Sequence, residues 1–310
     1  MPDLLQIGGI TDTMRDRLAE RFTIHQASGD YPADAITHIV TNGHDGVPSD
    51  ILAKCPNVKM AASYGVGYDA IDTDLCIEKG VIVTHTPDVL NAEVASTAIM
   101  LMLTSFRNFL SDEAHARSGN WEANGNAPLS RSADNRRVGI LGLGRIGQAI
   151  ADKLAPFDAE IHYHSRSAKD VPYTYHDTLV GMAKAVEVLI CITPGGPSTN
   201  KIVNAEVMEA LGPDGTLINV SRGSVVDEAA MVTALQTGTL GYAALDVFEA
   251  EPKIPDALKS MPNVVLLPHV GSATVETRAA MGALVVDNVL SHLDTGKVLT
   301  SVPETAHLNG

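Results

Sequence analysis

The stretch from residue 137 to residue 150 constrains the fold of this chain more than any other. It reads RVGILGLGRIGQAI, an apolar strand that runs into a glycine-rich turn and then into a helix. Gly142, Gly144 and Gly147 form the pattern G-x-G-x-x-G, whose glycines permit a tight turn, close approach of a pyrophosphate and close packing of helix on strand. An ordinary tight turn can carry the same glycines, but the flanking strand and helix favour a dinucleotide site.

The residues after the second glycine predict where the phosphates of such a dinucleotide would lie. A helix that begins here directs the N–H groups of Arg145 and Ile146, and the positive end of its dipole, toward an anion. The sequence therefore predicts that backbone groups at the start of this helix hold the pyrophosphate.

The next predicted strand ends in HYHSRS, residues 162–167. At this place a dinucleotide-binding fold usually carries an Asp or Glu that binds the ribose hydroxyls. Here the acid is missing, and His164 is followed by Arg166 between two serines, Ser165 and Ser167. A guanidinium with neighbouring hydroxyls attracts the 2′-phosphate of NADP, which an acid would repel. The pocket predicts NADPH rather than NADH, and a purely solvated Arg166 is the alternative.

Strand-like and helix-like segments alternate in two series along the chain, separated by a polar connection rich in small residues at 119–136. Strands that alternate with helices indicate parallel sheets with right-handed crossovers. We therefore expect an α/β protein of two doubly wound parallel-sheet domains, Rossmann- or flavodoxin-like, with a cleft between them. The predicted division is a substrate-binding domain, 1–98 and 286–310, and an inserted dinucleotide-binding domain, 99–285.

The charge balance and the metal-ligating residue types exclude several classes of partner. Acidic residues outnumber basic ones 37 to 22, and the formal net charge of −15 argues against nucleic acid or an anionic membrane as the main partner. The three cysteines show no metal-ligand spacing, and the histidines form no H-E-x-x-H or comparable set. No metal is predicted.

Two further segments bear on where the protein works. The opening MPDLLQIGGI lacks a basic segment followed by an apolar core, so no signal peptide is expected and a cytoplasmic location is predicted. Between Glu93 and Arg107 lie 13 uncharged residues. This stretch is too short to span a bilayer and predicts a buried helix at a domain or subunit contact.

Charged side chains follow three further predicted strands, which end in NVSRGSVVDE, ALDVFEAEP and LLPHVGSAT. Since ligands in open α/β sheets bind beyond the carboxyl ends of the strands, Arg222, Glu251 and His269 are expected to meet at the nicotinamide end of the cofactor. Histidine is a natural proton donor near neutral pH. Arginine can bind a carboxylate and polarise a carbonyl oxygen. A structural histidine and a plain Arg–Glu ion pair are the alternative.

Together with GLGRIG, these three stretches resemble the D-isomer-specific 2-hydroxyacid dehydrogenases. The segments ASYGVGYDAID and GVIVTHTPDVLNAEVAS also match that family, so the resemblance covers nearly the full length. It implies reduction of a 2-keto acid to a 2-hydroxy acid by hydride transfer, with His269 as general acid, Glu251 as its carboxylate partner and Arg222 on the substrate. Within the family, SRS, ALDVFEAEP and LPHVGSATVETR are most similar to NADPH-dependent glyoxylate/hydroxypyruvate reductases and to hydroxyphenylpyruvate reductases.

The resemblance also implies a second part of the site, in the first half of the chain. Residues 63–69, SYGVGYD, are similar to the family's substrate-carboxylate loop, in which the N–H groups of Val66 and Gly67 would meet the anion. Tyr64 would help to shape the pocket. An ordinary glycine turn is the alternative for this loop.

The same resemblance implies roles for three more residues. Asp246 is similar to the residue that contacts the nicotinamide carboxamide, with a structural cap as the alternative, and Thr193 is expected near the cofactor. Trp121 lies in SGNW, which is similar to a segment near the family's dimer contact, and packing is its first interpretation. The apolar helix around residues 94–106 then fits a homodimer interface.

Other functions of the same fold stay open. Hydroxyphenylpyruvate and larger 2-keto sugar acids are alternative substrates, because one sequence does not reveal the volume of the pocket. The missing ribose acid weighs against a phosphoglycerate dehydrogenase, and Glu rather than Gln at 251 weighs against a formate dehydrogenase. A non-enzymatic, dinucleotide-sensing corepressor is the alternative from another functional class.

Overall fold

A computed structural model describes residues 1–310 of the chain. The chain forms two compact units, one of Met1–Leu90 with Ala273–Gly310 and the other of Asn91–Ser272. The divisions after Leu90 and Ser272 come earlier in the chain than the predicted boundaries, which follow residues 98 and 285. Both divisions fall in loops, so that no helix or strand is shared between the units.

The first unit is built on a five-stranded parallel sheet. Its strands are β1 (Asp3–Gln6), β2 (Thr23–Gln26), β3 (Ile36–Asn42), β4 (Met60–Tyr64) and β5 (Ile82–Thr84), in the spatial order β2-β1-β3-β4-β5. Its helices are α1 (Asp12–Ala19), α2 (Ser49–Lys54), α3 (Thr73–Lys79) and, near the end of the chain, α12 (Val275–Thr295). This strand order is that of the flavodoxin-like doubly wound sheet, and it confirms the prediction for this unit.

Short sequence signals decide where the helices of this unit begin and end. The side-chain oxygens of Thr11 and Asp72 accept hydrogen bonds from the backbone N–H groups of Met14 and Leu75, which caps α1 and α3. Gly80 ends α3 in the left-handed conformation, with φ of 67°. Glycine adopts that conformation without the steric cost of a Cβ atom.

Two histidines join the sheet of the first unit to α12. The side chain of His38, on β3, is buried, and its Nε2 lies 2.9 Å from Nδ1 of His292. Its Nδ1 lies 2.9 Å from the hydroxyl of Thr37, and the Phe22 ring packs edge-on against it. Burial, and then the neighbouring His292, lower the pKa of His38 to about 4. Burial also lowers the pKa of His292.

This pair is expected to make the first unit less stable in mild acid. An unfolded histidine takes up a proton near pH 6.5, whereas folded His38 stays neutral until about pH 4. The stabilisation is therefore complete above pH 6.5 and is lost as the pH falls toward 4, by up to about 3 kcal/mol. Thermal melting between pH 7.5 and 4.5 measures this loss. The His38→Gln variant, which does not titrate, should melt with a shallower dependence on pH, and an unchanged slope would contradict the account.

The second unit is built on a seven-stranded parallel sheet. Its strands are β6 (Arg137–Leu141), β7 (Glu160–His164), β8 (Thr174–Tyr175), β9 (Val188–Cys191), β10 (Thr216–Asn219), β11 (Tyr242–Leu245) and β12 (Val264–Leu266). The spatial order is β12-β11-β10-β9-β6-β7-β8, and every pair is parallel. The order reverses at β6 and β9, where a doubly wound sheet opens a crevice for a ligand. The predicted fold class is confirmed for both units.

Eight helices complete the second unit. They are α4 (Asn91–Phe106), α5 (Phe109–Arg117), α6 (Asn120–Asn124), α7 (Arg145–Leu154), α8 (Leu179–Ala185), α9 (Ala205–Leu211), α10 (Glu228–Thr237) and α11 (Asp256–Lys259). The uncharged stretch after Glu93 lies in α4, half of whose residues are buried. Part of the polar connection predicted at 119–136 is helical, as α6. No helix of the structure combines the length and apolar character that crossing a membrane requires.

Candidate active site

The glycine turn after β6 has the geometry that its sequence predicts. Gly142 has φ of 100°, and a Cβ atom there would lie 3.0 Å from the backbone of Thr193, after β9. A Cβ atom on Gly147 would lie 2.3 Å from the carbonyl oxygen of Gly142, so only glycine lets the helix approach the turn this closely. The N–H of Gly142 donates to the carbonyl of His164 at 3.0 Å, which joins the turn to the end of β7.

The turn leads directly into α7, whose first residues are Arg145 and Ile146. Gly144 is the N-cap residue, and no side chain caps this helix. Since the first N–H groups of a helix need acceptors, a helix start without a side-chain cap suits a phosphate. The turn and the helix start therefore fit a dinucleotide pyrophosphate, and the cofactor-binding roles of these residues stay predictions.

The segment after β7 leaves its arginine available. The guanidinium of Arg166 is exposed and makes no hydrogen bond or ion pair within the chain. The Ser165 hydroxyl donates to the carbonyl of Ser167 at 2.8 Å, which closes a small turn around the arginine. Nδ1 of His164 donates to the carbonyl of His176 at 2.9 Å. The sequence did not predict this contact between His164 and His176, because nothing near His176 in the sequence points to the cofactor site.

His269 and Glu251 form a hydrogen-bonded pair at the carboxyl ends of adjacent strands. Nδ1 of His269 lies 2.7 Å from Oε2 of Glu251, and Oε1 of Glu251 accepts the backbone N–H of Phe248 at 2.9 Å. A carboxylate at Nδ1 makes this nitrogen the donor, so the second ring nitrogen, Nε2, is the one that can deliver a proton. The histidine side chain is 43% exposed and that of the glutamate 17%. The less exposed Glu251 thus fixes the orientation of the His269 ring, which is partly open to solvent.

The backbone at His269 is held in an unusual conformation by Asp246. His269 has φ of 53°, in the left-handed region, and its N–H donates to the carbonyl of Asp246 at 2.8 Å. The Asp246 carboxylate is buried, and its two oxygens accept the N–H groups of Val270 at 2.7 Å and Gly271 at 2.8 Å. Burial raises the pKa of Asp246. The structure therefore gives Asp246 the role of bracing the His269 loop, and its contact with the carboxamide stays a prediction.

Arg222 follows β10, the strand next to β11 in the sheet. Its Nη1 donates to the carbonyl of Ser221 at 2.9 Å, and its own carbonyl accepts from the side chain of Asn219. A Cβ atom on Gly223 would lie 1.9 Å from the carbonyl carbon of Phe248. This glycine therefore lets the Arg222 turn touch the segment that leads to Glu251. Asn219 and Gly223 were missed, although both stand beside the arginine in the sequence.

In the first unit, the loop predicted to bind the substrate carboxylate has one side chain, that of Tyr64, in a hydrogen bond within the protein. The Tyr64 hydroxyl donates to the carbonyl of Arg278 at 2.9 Å, and the ring is buried beside the Arg278 guanidinium. Burial raises the pKa of Tyr64. Tyr64 thus anchors the loop to α12, and its substrate contact stays a prediction. The N–H groups of Val66 and Gly67 have no acceptor within the chain.

Comparison with known proteins agrees with these features. Residues 99–271 match the family described as D-isomer specific 2-hydroxyacid dehydrogenase, NAD binding domain. A hydroxyphenylpyruvate reductase of Plectranthus scutellarioides is 45% identical over 271 residues, which are 87% of this chain and 86% of that protein. A 2-ketogluconate reductase of Gluconobacter oxydans is 39% identical over 306 residues, 97% of this chain and 98% of the other.

The chain belongs to the D-isomer-specific 2-hydroxyacid dehydrogenase family. The resemblance inferred from the sequence is thereby confirmed, and so are the oxidoreductase class and a nicotinamide dinucleotide as cofactor. Among solved structures, an NADPH-dependent glyoxylate/hydroxypyruvate reductase of Sinorhizobium meliloti, in complex with NADP and malonate, superimposes with a TM-score of 0.94. It is 48% identical, and the match covers 98% of this chain and 97% of that one.

Proposed function

We propose that this dehydrogenase is an NADPH-dependent reductase of small 2-keto acids, with glyoxylate and hydroxypyruvate as first substrates. The observation that carries the proposal is the 2.7 Å hydrogen bond between Nδ1 of His269 and the Glu251 carboxylate. It orients a proton donor at the carboxyl ends of the strands, where substrates bind in this type of sheet. The name of the Sinorhizobium protein, a glyoxylate/hydroxypyruvate reductase, supports this class of substrate.

Each proposed role follows from the chemistry of the residue. Bound NADPH supplies a hydride to the keto carbon. Nε2 of His269 gives its proton to the keto oxygen, while Glu251 stabilises the imidazolium before transfer. The guanidinium of Arg222 polarises that oxygen and binds the substrate carboxylate, for which the N–H groups of Val66 and Gly67 are further donors. The exposed His269 ring then regains a proton from solvent.

The proposed preference for NADPH depends on Arg166. Its guanidinium is exposed and unpaired, in a chain whose formal net charge is −15. An unpaired cation in an acidic protein is a local site for an anion, and the adenosine 2′-phosphate is the anion that distinguishes the two cofactors. His164, Ser165 and Ser167 complete the proposed pocket.

Assays of NADPH oxidation test the proposed function. Purified protein is given glyoxylate, hydroxypyruvate, hydroxyphenylpyruvate and 2-ketogluconate side by side, and kcat/KM is compared. The proposal expects the two small acids to be the better substrates. Higher kcat/KM for either large acid would replace them with the substrate class that the Plectranthus and Gluconobacter names suggest. No oxidation with any 2-keto acid would favour the corepressor alternative.

We propose that the second unit also carries the surface of a homodimer. Of the eight large apolar side chains that are exposed, five lie between residues 100 and 129. They are Met100, Phe109, Leu110, Trp121 and Leu129. This apolar cluster is a stretch of sequence in which exposed apolar side chains are concentrated, and such a concentration is typical of a subunit interface. The exposed Trp121 ring, which packs poorly within its own chain, agrees with packing against a second copy.

Replacing Phe109 and Leu110 by serine together should convert the dimer to a monomer, because burial of these side chains would stabilise association. Sedimentation velocity at micromolar concentration measures the change in mass. Leu299→Ser, at an exposed apolar residue outside the cluster, is the matched control and should leave the dimer intact. A parent protein that sediments as a monomer contradicts the proposal.

A further inference from the structure

We propose that His85 is a positioning residue, which aims two backbone N–H groups at the carboxylate of the substrate. The inference rests on the proposed function of the loop Gly65–Gly67 and explains how that loop keeps its shape. His85 and Thr86 directly follow β5, the edge strand of the first sheet. Neither residue belongs to the predicted site.

Two consecutive carbonyl groups of the loop are held from this one place. The backbone N–H of Thr86 donates to the carbonyl of Gly65 at 2.9 Å. Nδ1 of His85 lies 2.9 Å from the carbonyl oxygen of Val66. Since a carbonyl can only accept, Nδ1 must be the donor in this contact. Thr86 acts through its backbone alone, because its buried hydroxyl has no partner.

The direction of the N–H groups follows from the geometry of the peptide bond. In a trans peptide the C=O of one residue and the N–H of the next point in opposite directions. Fixing the carbonyls of Gly65 and Val66 toward His85 and Thr86 therefore turns the N–H groups of Val66 and Gly67 away from them. Two successive N–H groups on one side of a loop form a concave site for an anion. Neither group has an acceptor within the chain.

The backbone of His85 is itself tied to the C-terminal segment. Its N–H donates to the carbonyl of Thr300, and its carbonyl accepts the Thr300 hydroxyl at 2.7 Å. The side-chain oxygen of Asn288, fully buried on α12, accepts the N–H groups of Leu299 and Thr300, both at 2.9 Å. These bonds attach the backbone of His85 to α12 and the C-terminal segment.

The ring of His85 is held as well. The Tyr68 ring packs edge-on against it, with 5.4 Å between the ring centres. The Tyr68 hydroxyl donates to the Glu304 carboxylate at 3.0 Å, and burial, together with this bond, raises the pKa of Tyr68 to about 12. Tyr68 therefore stays a neutral donor over the working range of pH. Because its backbone is tied to Thr300 and its ring packs on Tyr68, which Glu304 holds in turn, His85 restrains the peptide of Val66.

Replacing His85 by leucine removes the donor to Val66 and keeps an apolar side chain against Tyr68. Loss of one such hydrogen bond should raise the KM for glyoxylate by about three- to tenfold. The kcat should change by less than about twofold, and the Kd for NADPH should not change, since the variant affects only the carboxylate site. Malonate, a dicarboxylate that cannot be reduced, should bind to the enzyme–NADP complex more weakly by the same factor in calorimetry.

Two further variants separate positioning from a structural role. His85→Asn places an amide N–H near the position of Nδ1 and should restore malonate affinity and KM to within about twofold of the parent. His307→Leu, at an exposed histidine in the same C-terminal segment, should change neither quantity. Equal weakening in the leucine and asparagine variants would mean that His85 is merely structural, and would overturn the proposal.

Two other outcomes are distinguishable. Malonate binding that is equally tight in the parent and in His85→Leu would overturn this inference and leave the proposed function standing. A parent enzyme that binds no malonate and reduces no 2-keto acid would overturn the proposed function and this inference with it.

Discussion

Replacing His269 by alanine is expected to lower kcat for the reduction of glyoxylate by about three orders of magnitude. The variant lacks the proposed proton donor, which Glu251 orients through the 2.7 Å bond to Nδ1. Water can donate a proton in place of the histidine, but it is not held in position beside the keto oxygen. The kcat should therefore fall far more than the affinity for substrate. The Kd for NADPH should stay within about twofold of the parent, because His269 is not among the residues proposed to bind the cofactor phosphates. Steady-state assays and NADPH fluorescence titration measure the two effects.

Two further variants test whether the loss of kcat in His269→Ala is specific to this histidine and its carboxylate partner. Glu251→Gln keeps the size of the side chain but removes the charge, so the imidazolium should be less stabilised and kcat should fall by about ten- to a hundredfold. His307→Ala, at an exposed histidine of the first unit, should retain the activity of the parent. A His269→Ala enzyme as active as the parent would remove this histidine from the mechanism.

Replacing Arg166 by alanine is expected to lower kcat/KM with NADPH by roughly a hundredfold, with little change for NADH. A charge-assisted hydrogen bond from a guanidinium to a phosphate contributes on the order of 1.5–3 kcal/mol, and the variant removes the exposed cation that would make it. NADH lacks the 2′-phosphate and should not sense the change. The ratio of kcat/KM for the two cofactors, measured with a saturating 2-keto acid, is the decisive quantity.

The matched control is Arg117→Ala, which removes an exposed arginine from the same unit, outside the predicted cofactor pocket. It should leave the cofactor ratio unchanged. Arg166→Lys should keep part of the preference, since lysine retains the charge but cannot bind phosphate through two parallel N–H groups. A parent enzyme that uses NADH as well as NADPH, or an unchanged ratio in Arg166→Ala, would contradict the proposed cofactor pocket.

The glycine turn and the helix after it could be predicted because their signals are local. Gly142 and Gly147 lie within one strand–turn–helix unit, and their steric requirements are met by atoms a few residues away. The alternation of strands and helices predicted two parallel sheets for the same reason. The proposed catalytic roles of Arg222, Glu251 and His269 came from a resemblance, and the structure added the bond between the last two.

Other parts of the site depend on contacts between distant segments, which the sequence pattern does not encode. The Asp246 carboxylate meets the N–H groups of Val270 and Gly271, 24 and 25 residues further along. The Tyr64 hydroxyl meets the carbonyl of Arg278, 214 residues away. Such bonds exist only after the sheets and helices have packed. They show that both residues brace the fold, and the ligand contacts of both stay predictions.

By itself, the sequence determined the order of strands and helices, the glycine turn and the absence of a ribose-binding acid before Arg166. Only the tertiary structure decided which polar groups are already engaged and which remain for a ligand. Tyr64 and Asp246 are engaged, whereas the guanidinium of Arg166 and the N–H groups of Val66 and Gly67 are not. The physical reason is that a hydrogen bond requires its two groups to be within about 3 Å, and distance in space is set by packing, not by position in the chain.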